Sequence, residues 1–122
     1  MKIYKNLNVG KKFKNSAIAI GNFDGFHLGH QRVIERGKKI AKKNKIKFGL
    51  MVFQPLPVMF FNKNLSNYRI DSLQQKIDSS KKLGIDFLII KKFNKNFSKI
   101  NAEKFIEDIL YKKLKTKLVF IS

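Results

Sequence analysis

The stretch Ala17-Ile18-Ala19-Ile20-Gly21-Asn22-Phe23-Asp24-Gly25-Phe26-His27-Leu28-Gly29-His30-Gln31 joins a short apolar run to a turn with two glycines and to two histidines three residues apart. The apolar run is typical of a buried parallel strand, and the amphipathic segment from about 28 to 43 predicts a helix after the turn. The first N–H groups of a helix lack partners within the helix and bind anions readily. Gly21 and Gly25 allow backbone conformations or close approaches that a Cβ would prevent. The stretch therefore predicts a nucleotide-phosphate site.

Length and composition indicate one globular domain, because the 122 residues are 43% apolar. There is no cysteine, which excludes disulfides and thiolate metal sites. Residues 1–8 lack the apolar core of a signal peptide, and no apolar run reaches the roughly 18 residues that span a bilayer. We interpret the chain as soluble, cytoplasmic and not membrane-bound. The sequence specifies no oligomeric state.

The formal net charge of +19 raises the possibility of nucleic-acid binding. The excess is nearly all lysine, whereas arginine is the residue suited to bidentate recognition of bases and phosphates. The lysines form no single arm but occur in dispersed pairs: Lys11-Lys12, Lys38-Lys39, Lys42-Lys43, Lys81-Lys82, Lys91-Lys92 and Lys112-Lys113. This distribution favours solvated surfaces over a nucleic-acid interface, although the field would attract anionic ligands.

Predicted strands and helices alternate along the chain. The strands are predicted at 16–23, 46–53, 85–91 and 117–121, and the helices at 28–43, from 71 to about 83 and at 102–114. Residues 1–15 are expected to supply an edge segment. This alternation predicts an α/β domain with a parallel sheet and helices on both faces. Ligands of such sheets bind beyond the carboxyl ends of the strands, where the Gly21–His30 turn and the Pro55–Phe61 loop are expected.

Helix boundaries carry their own signals. Asp71 and Gln74 have the spacing of a capping box, and Gly84 occupies the position of a left-handed helix cap. Asn101 is the predicted cap of the last helix. The side of that helix expected to be buried carries Phe105, Ile106, Ile109, Leu110 and Leu114.

The pair His27 and His30 is open to three interpretations. Two imidazoles at i and i+3 could bind a metal, but the chain has only these two histidines and no carboxylate in the zinc-protease pattern, so no metal site is predicted. Alternatively, one histidine could pack against the protein and the other could cap the helix. Gly29 argues against this, because a glycine in the first turn costs about 1 kcal/mol and leaves room for a ligand.

A triphosphate site uses all parts of the segment. The helix start and the histidines could stabilise charge on an α-phosphate under attack while pyrophosphate leaves. Neither common phosphate loop is present, since the G-x-x-x-x-G-K-[ST] and G-x-G-x-x-G patterns are both missing. Asp24 is either a turn-forming residue or a participant in Mg²⁺ or substrate binding.

The turn from Gly21 to Gln31 resembles the HxGH nucleotidyltransferases. The complete sequence of this segment is most similar to that of the bacterial FAD synthetases, which are bifunctional riboflavin kinase/FMN adenylyltransferases. The pattern Phe53-x-Pro55-x-Pro57-x-x-Phe60-Phe61 is similar to that family's proline-rich flavin loop. Segments beginning at Lys76, Phe93 and Phe105 follow in family order.

The resemblance implies a Rossmann-like nucleotidyltransferase fold that transfers AMP from MgATP to FMN, giving FAD and pyrophosphate, with Mg²⁺, ATP and FMN as the small molecules bound. It implies catalytic roles for His27 and His30 at the ATP phosphates. The ATP pocket would also include Gly21, Asn22, Phe23, Asp24 and Gly29. The flavin site would include Pro55, Pro57, Phe61 and Asn62, although prolines also end strands and the phenylalanines could belong to the core.

Two rival functions remain. One is another HxGH nucleotidyltransferase, of the cytidylyl or pantetheine-phosphate type. The other is a basic nucleic-acid-binding module, which would place its aromatic residues on an exposed basic surface.

The family pattern continues beyond Ser122 with a flavin-binding loop, a serine/threonine-rich segment and a riboflavin kinase domain. We therefore expect residues 1–122 to be a partial adenylyltransferase domain from a parent protein that also phosphorylates riboflavin. The expected outcome is little or no FAD formation by this chain alone. Robust FAD formation from FMN and ATP, measured by chromatography of the products, would contradict that expectation.

Overall fold

A computed structural model of the chain describes residues 1–23, 25, 28–54, 61 and 72–121. Within these ranges the strands are β1 (Lys2–Tyr4), β2 (Ala17–Ile20), β3 (Phe48–Gln54), β4 (Phe87–Lys92) and β5 (Leu118–Ile121). The helices are α1 (Leu28–Lys43), α2 (Leu73–Lys82), α3 (Lys95–Ser98) and α4 (Ala102–Lys104), and α4 continues as a π-helix over Phe105–Lys113. A short 3₁₀ turn covers Lys11–Phe13.

The strands form one sheet in the order β1-β4-β3-β2-β5, and every pair is parallel. The chain steps from β2 to β3 to β4 in one direction and then crosses to β5 on the other side of β2. The strand order therefore reverses at β2. This confirms the predicted parallel α/β sheet, and β1 beside β4 is the expected edge segment.

Alternate residues of the strands supply two separate cores, one on each face of the sheet. The first core contains Ala17, Ala19, Leu50 and Leu88 and is covered by α1 and α2. The second is covered by the π-helix and the segment around Phe13, and its strand residues are Ile18, Ile20, Met51, Phe87 and Ile89. Because both faces are covered, β2 reads as a continuous apolar run instead of an alternating one.

Helix α2 begins one residue later than the sequence pattern suggested. Ser72 is its cap: its Oγ accepts from the Gln75 N–H at 3.1 Å, and Gln75 Oε1 accepts from the Ser72 N–H at 2.7 Å. The capping box predicted at Asp71 and Gln74 is therefore wrong by one position, since the Gln74 side chain instead donates to Asp78 at 3.0 Å. The cap predicted at Gly84 is confirmed by its φ of +73°.

The last helix departs most from its predicted pattern. Asn101 caps it as expected, with its Oδ1 accepting from the Lys104 N–H at 2.8 Å. Beyond Lys104 the hydrogen bonds span five residues, as from the Leu114 N–H to the Ile109 carbonyl at 2.9 Å. This wider spacing changes which side chains share a face. Ile109 and Leu110 are buried, but Ile106 is 59% exposed, so its predicted place on the buried side is wrong.

Among the described residues, no helix is long and apolar enough to cross a membrane.

The packing of α1 on the sheet requires a residue without a Cβ at Gly37. A Cβ there would lie 2.5 Å from Cε1 of the buried Phe48 ring. Replacing Gly37 with alanine gains about 1 kcal/mol of helix propensity, whereas overpacking a core costs about 1–3 kcal/mol. We expect Gly37→Ala to lower the free energy of unfolding by up to about 2 kcal/mol, measured by urea denaturation.

Arg36→Ala, on the exposed side of the same helix, is the matched control and should change stability by no more than about 0.5 kcal/mol. An increase in stability of Gly37→Ala would contradict the close approach of α1 to β3.

Candidate functional site at the carboxyl edge of the sheet

The turn after β2 lies at the carboxyl edge, where the strand order reverses. The Gly21 N–H donates to the Met51 carbonyl at 3.3 Å, so the turn begins attached to β3. Gly25 has a φ of +75°, which confirms the conformational role predicted for it. Helix α1 begins at Leu28, and its amino terminus therefore faces the crevice where ligands of such sheets bind.

Phe23 adopts a strained conformation that the sequence did not predict. Its φ is +48°, a left-handed value that is unfavourable for a bulky side chain, and its side chain is fully buried in the core beneath α1. Such strain costs about 1–3 kcal/mol and persists only where surrounding structure enforces it. The Phe23 ring lies edge-on to the His30 imidazole, with centroids 5.3 Å apart. The buried ring thus helps to set the orientation of the histidine.

The structure places four further residues of the predicted ATP site around this turn. Gly21 is half-buried and Asn22 is exposed, while Gly29 and His30 are the second and third residues of α1. Asp24 and His27, also assigned to this site, lie outside the described residues. The described members are therefore brought together at one helix start.

Lys76 is a buried lysine that joins α2 to the turn. Its side chain is 3% exposed, and its Nζ donates to the Asn22 carbonyl at 2.6 Å. Lys76 is not among the site residues predicted from the sequence. A signal was present, because Leu73, Lys76, Ile77 and Ser80 have the spacing of one helix face. A lysine on a core-facing stripe is unusual and calls for a buried partner.

A cluster of aromatic rings occupies the same edge of the sheet on its other face. Phe53 and Phe97 pack against the second core. The centroid of the Phe93 ring lies 6.0 Å from that of the Phe53 ring and 5.7 Å from that of the Phe97 ring. Phe61, predicted for the flavin site, is 70% exposed, with its ring 5.9 Å from that of Phe93. These rings line a cavity of about 290 Å³ that also contacts Phe105. We call Phe53, Phe61, Phe93 and Phe97 the aromatic cluster.

From the sequence, Phe53 and Phe61 could belong either to the core or to the flavin site, and nothing in it predicts Phe93 or Phe97 as site residues. Their convergence depends on α3, a single helical turn within what was predicted to be a loop. Pro55, Pro57 and Asn62 lie outside the described residues, so their predicted positions are not addressed by the structure.

The turn and the aromatic cluster are close in register along the sheet. Ile20 pairs with Met51, and Phe53 lies two residues further along β3, about 7 Å toward the carboxyl edge. One ligand with a charged part and a flat apolar part could reach both regions. Among the described residues, no group of three or more His, Cys, Asp or Glu side chains is arranged to hold a metal ion.

Lys91 carries positive charge to the aromatic cluster. Its Nζ lies 4.6 Å from the centroid of the Phe97 ring, in range of a cation–π interaction. Partial burial lowers the pKa of Lys91 below 10.5, and the positive charges of Lys113 and Lys92 lower this pKa further.

A larger cavity of about 630 Å³ lies at the opposite edge, near the start of β3, with both cationic and acidic side chains in its walls. Its charged lining residues are Glu35, Arg36, Lys38, Lys39, Lys42, Lys47 and Asp86. Asp86 is used structurally, because its Oδ2 accepts from the Phe48 N–H at 2.9 Å. This cavity is at the wrong end of the strands for the turn, and we assign the candidate site to the carboxyl edge despite the smaller volume there.

The fold and the site define a Rossmann-type α/β protein with a helix amino terminus at the point where strand order reverses. Two solved structures share this fold. One, described as a macrolide-efflux protein from Streptococcus pneumoniae, gives a TM-score of 0.82 at 23% identity, covering 98% of this chain and 40% of that one. The other is pantoate-beta-alanine ligase from Francisella tularensis with beta-gamma ATP and beta-alanine, at a TM-score of 0.55, 21% identity and coverage of 84% and 40%. At these identities the likeness concerns the fold alone.

Residues 10–122 match the FAD synthetase family, and the chain belongs to that family. It is 43% identical over 122 residues to the bifunctional riboflavin kinase/FMN adenylyltransferase of Buchnera aphidicola subsp. Schizaphis graminum, and the alignment covers 99% of this chain and 39% of that relative. The Escherichia coli K12 protein of the same name is 29% identical over 104 residues, which is 85% of this chain and 33% of the relative. The chain thus spans well under half the length of these curated relatives.

The surroundings of Lys91 give a testable titration. The protonated form is disfavoured in the folded chain, so the folded state releases this proton first as pH rises. The resulting stability penalty is present at neutral pH and fades as pH rises through the lowered pKa toward 10.5. We expect the titration midpoint of Lys91, followed by NMR of its ε-carbon, to lie below 10.5.

Lys113→Gln should raise this midpoint because it removes a neighbouring positive charge. Lys117→Gln, at an exposed position that is not among the causes of the shift, serves as the control. A Lys91 midpoint unaffected by Lys113→Gln would contradict the assigned cause.

Proposed function

We propose that this chain contributes the adenylyltransferase site of FAD biosynthesis, in which AMP passes from ATP to FMN to give FAD and pyrophosphate. The observation that carries the proposal is the position of His30 in the first turn of α1, at the point where strand order reverses. Membership of the FAD synthetase family supports it. The relatives' names also include a riboflavin kinase, and we propose that activity only for a longer parent protein.

The reaction requires an anion site more than a protein nucleophile. A phosphate oxygen of FMN attacks the α-phosphorus of ATP and forms the new P–O bond. The bond from the α-phosphorus to the α–β bridging oxygen breaks, and pyrophosphate leaves with the electron pair. Charge develops on the oxygens around the α-phosphorus, so donors fixed in advance at that position lower the barrier.

The ATP half of the site lies at the turn. The amino terminus of α1 directs its first N–H groups and the positive end of its dipole toward the phosphates. We assign His30 and His27 to the phosphate oxygens, and Gly21, Asn22, Phe23, Asp24 and Gly29 to the walls of the pocket. Mg²⁺ belongs to the proposal as the cation that accompanies the triphosphate, because oxygen ligands from phosphates suit it.

The flavin half is assigned to the aromatic cluster and the neighbouring loop. A flat, largely apolar ring system suits a cavity walled by Phe53, Phe61, Phe93 and Phe97, where aromatic rings stack or meet edge to face. Lys91 places a positive charge beside this cavity, which favours a phosphorylated flavin. We assign Pro55, Pro57, Phe61 and Asn62 to its border.

The proposal places the reaction in the cytoplasm and treats nucleic acid as an unintended ligand. Most aromatic side chains of the described residues are buried or half-buried in the cores instead of forming an exposed basic surface. A cytidylyl- or pantetheine-type reaction is less well supported, since a pantetheine-type acceptor offers no flat ring system for the aromatic cluster beyond the base of the nucleotide.

Titration calorimetry with MgATP, FMN and single-stranded DNA at two salt concentrations tests the proposal. The chain should bind MgATP and FMN, and His30→Ala should weaken MgATP binding about tenfold or more, as expected for loss of a hydrogen bond to a charged group. FMN affinity should change little, because His30 and the aromatic cluster lie on opposite faces of the sheet.

Lys39→Ala is the matched control, since it is exposed on the same helix about 14 Å from His30 along the axis. Its MgATP affinity should equal that of the unmodified chain. Tight DNA binding that falls steeply with salt, without binding of either nucleotide or flavin, would refute the proposed function.

A further inference from the structure

Lys76 is a charged residue in a place where an apolar one would pack. Its side chain is 3% exposed, on the face of α2 that carries Leu73 and Ile77 into the first core. Ser80, one turn further on, is also buried, but its hydroxyl donates to the Lys76 carbonyl at 2.8 Å within the helix. The lysine instead reaches out of its own helix. A buried ammonium costs desolvation free energy that an aliphatic side chain would not, so the core gives no reason for its presence.

One contact of Lys76 is with the backbone of the turn after β2. Its Nζ donates to the Asn22 carbonyl at 2.6 Å, across 54 residues of sequence. That carbonyl belongs to the peptide unit immediately before Phe23, whose φ of +48° is the strained angle in the turn. A charge-assisted hydrogen bond at this point fixes the orientation of the peptide plane and so holds the strained conformation.

The effect extends to the histidine through one ring contact. Phe23 is fully buried, and its ring meets the His30 imidazole with centroids 5.3 Å apart. Lys76, the Asn22 carbonyl, Phe23 and His30 therefore form a continuous chain of contacts from α2 to the start of α1. The ammonium also adds a positive charge behind a turn that already presents the positive end of a helix dipole.

We propose that Lys76 is a positioning residue for nucleotide binding, which holds the turn after β2 in its strained form and thereby orients His30 toward the phosphates. This inference rests on the proposed function for its ligand, MgATP. The conformational part, from Lys76 to Phe23, stands on the geometry of the chain alone. Lys76 acts through the turn and not by contact with the reacting atoms.

Lys76→Met removes the charge and the donor while keeping a long side chain, and Lys82→Met on the exposed side of the same helix is the control. The expected result for Lys76→Met is a change in the backbone chemical shifts of Asn22 and Phe23 that report the positive φ. MgATP affinity should fall about tenfold, while FMN affinity stays within about twofold. Lys76→Arg, which keeps a charged donor, should recover part of the MgATP affinity. A purely structural role would instead weaken both ligands in parallel with stability.

A second measurement uses the unmodified chain and does not depend on the folding of a variant. The ammonium of Lys76 should give a slowly exchanging NMR signal that shifts when MgATP is added. The ammonium of the exposed Lys82 should exchange rapidly and show no such signal. Unchanged Phe23 shifts in Lys76→Met, or an unmoved Lys76 signal at saturating MgATP, would overturn the positioning role. Failure of the unmodified chain to bind MgATP would overturn the proposed function instead, and the Phe23 shifts would still decide whether Lys76 holds the turn.

Discussion

The structure depends on the parallel pairing of β2 with β3 on one side and β5 on the other. A strand bonded on both edges and covered on both faces has little contact with water, which favours apolar side chains at every position from Ala17 to Ile20. The same pairing fixes where the chain can leave the sheet. Because Ile20 is in register with Met51, the following turn emerges beside β3 at the carboxyl edge.

A strained residue and a buried charge occur together at that point of exit. Phe23 is both fully buried and held at a positive φ, and Lys76 contributes a buried charge to the same turn. Each feature alone lowers the stability of the folded chain. Their occurrence together, at a helix start where the strand order reverses, matches the general observation that strain accumulates at functional sites.

The two halves of the proposed site use different physical means on opposite faces of one sheet edge. The turn offers donors and positive potential to an anion, and the aromatic cluster offers a small apolar cavity with a cation beside it. The division fits the proposed reaction, in which AMP passes from a triphosphate to a phosphorylated ring system and pyrophosphate leaves. Both halves need the sheet as a rigid support, because relative placement of two substrates contributes much of the rate in a transfer of this kind.

The sequence by itself determined the α/β class, the parallel sheet, the position of the glycine turn after β2 and the family, because these depend on local periodicity, glycine placement and an ordered set of motifs. It located the α2 cap one residue too early and placed Ile106 on the buried side, since neighbouring polar residues compete for a cap and π-helical hydrogen bonds alter helix faces. Only the tertiary structure decided the contact of Lys76 with Asn22 and the gathering of Phe93 and Phe97 around Phe53. Those contacts join residues far apart in the chain or depend on a single turn of helix, and no local pattern encodes them.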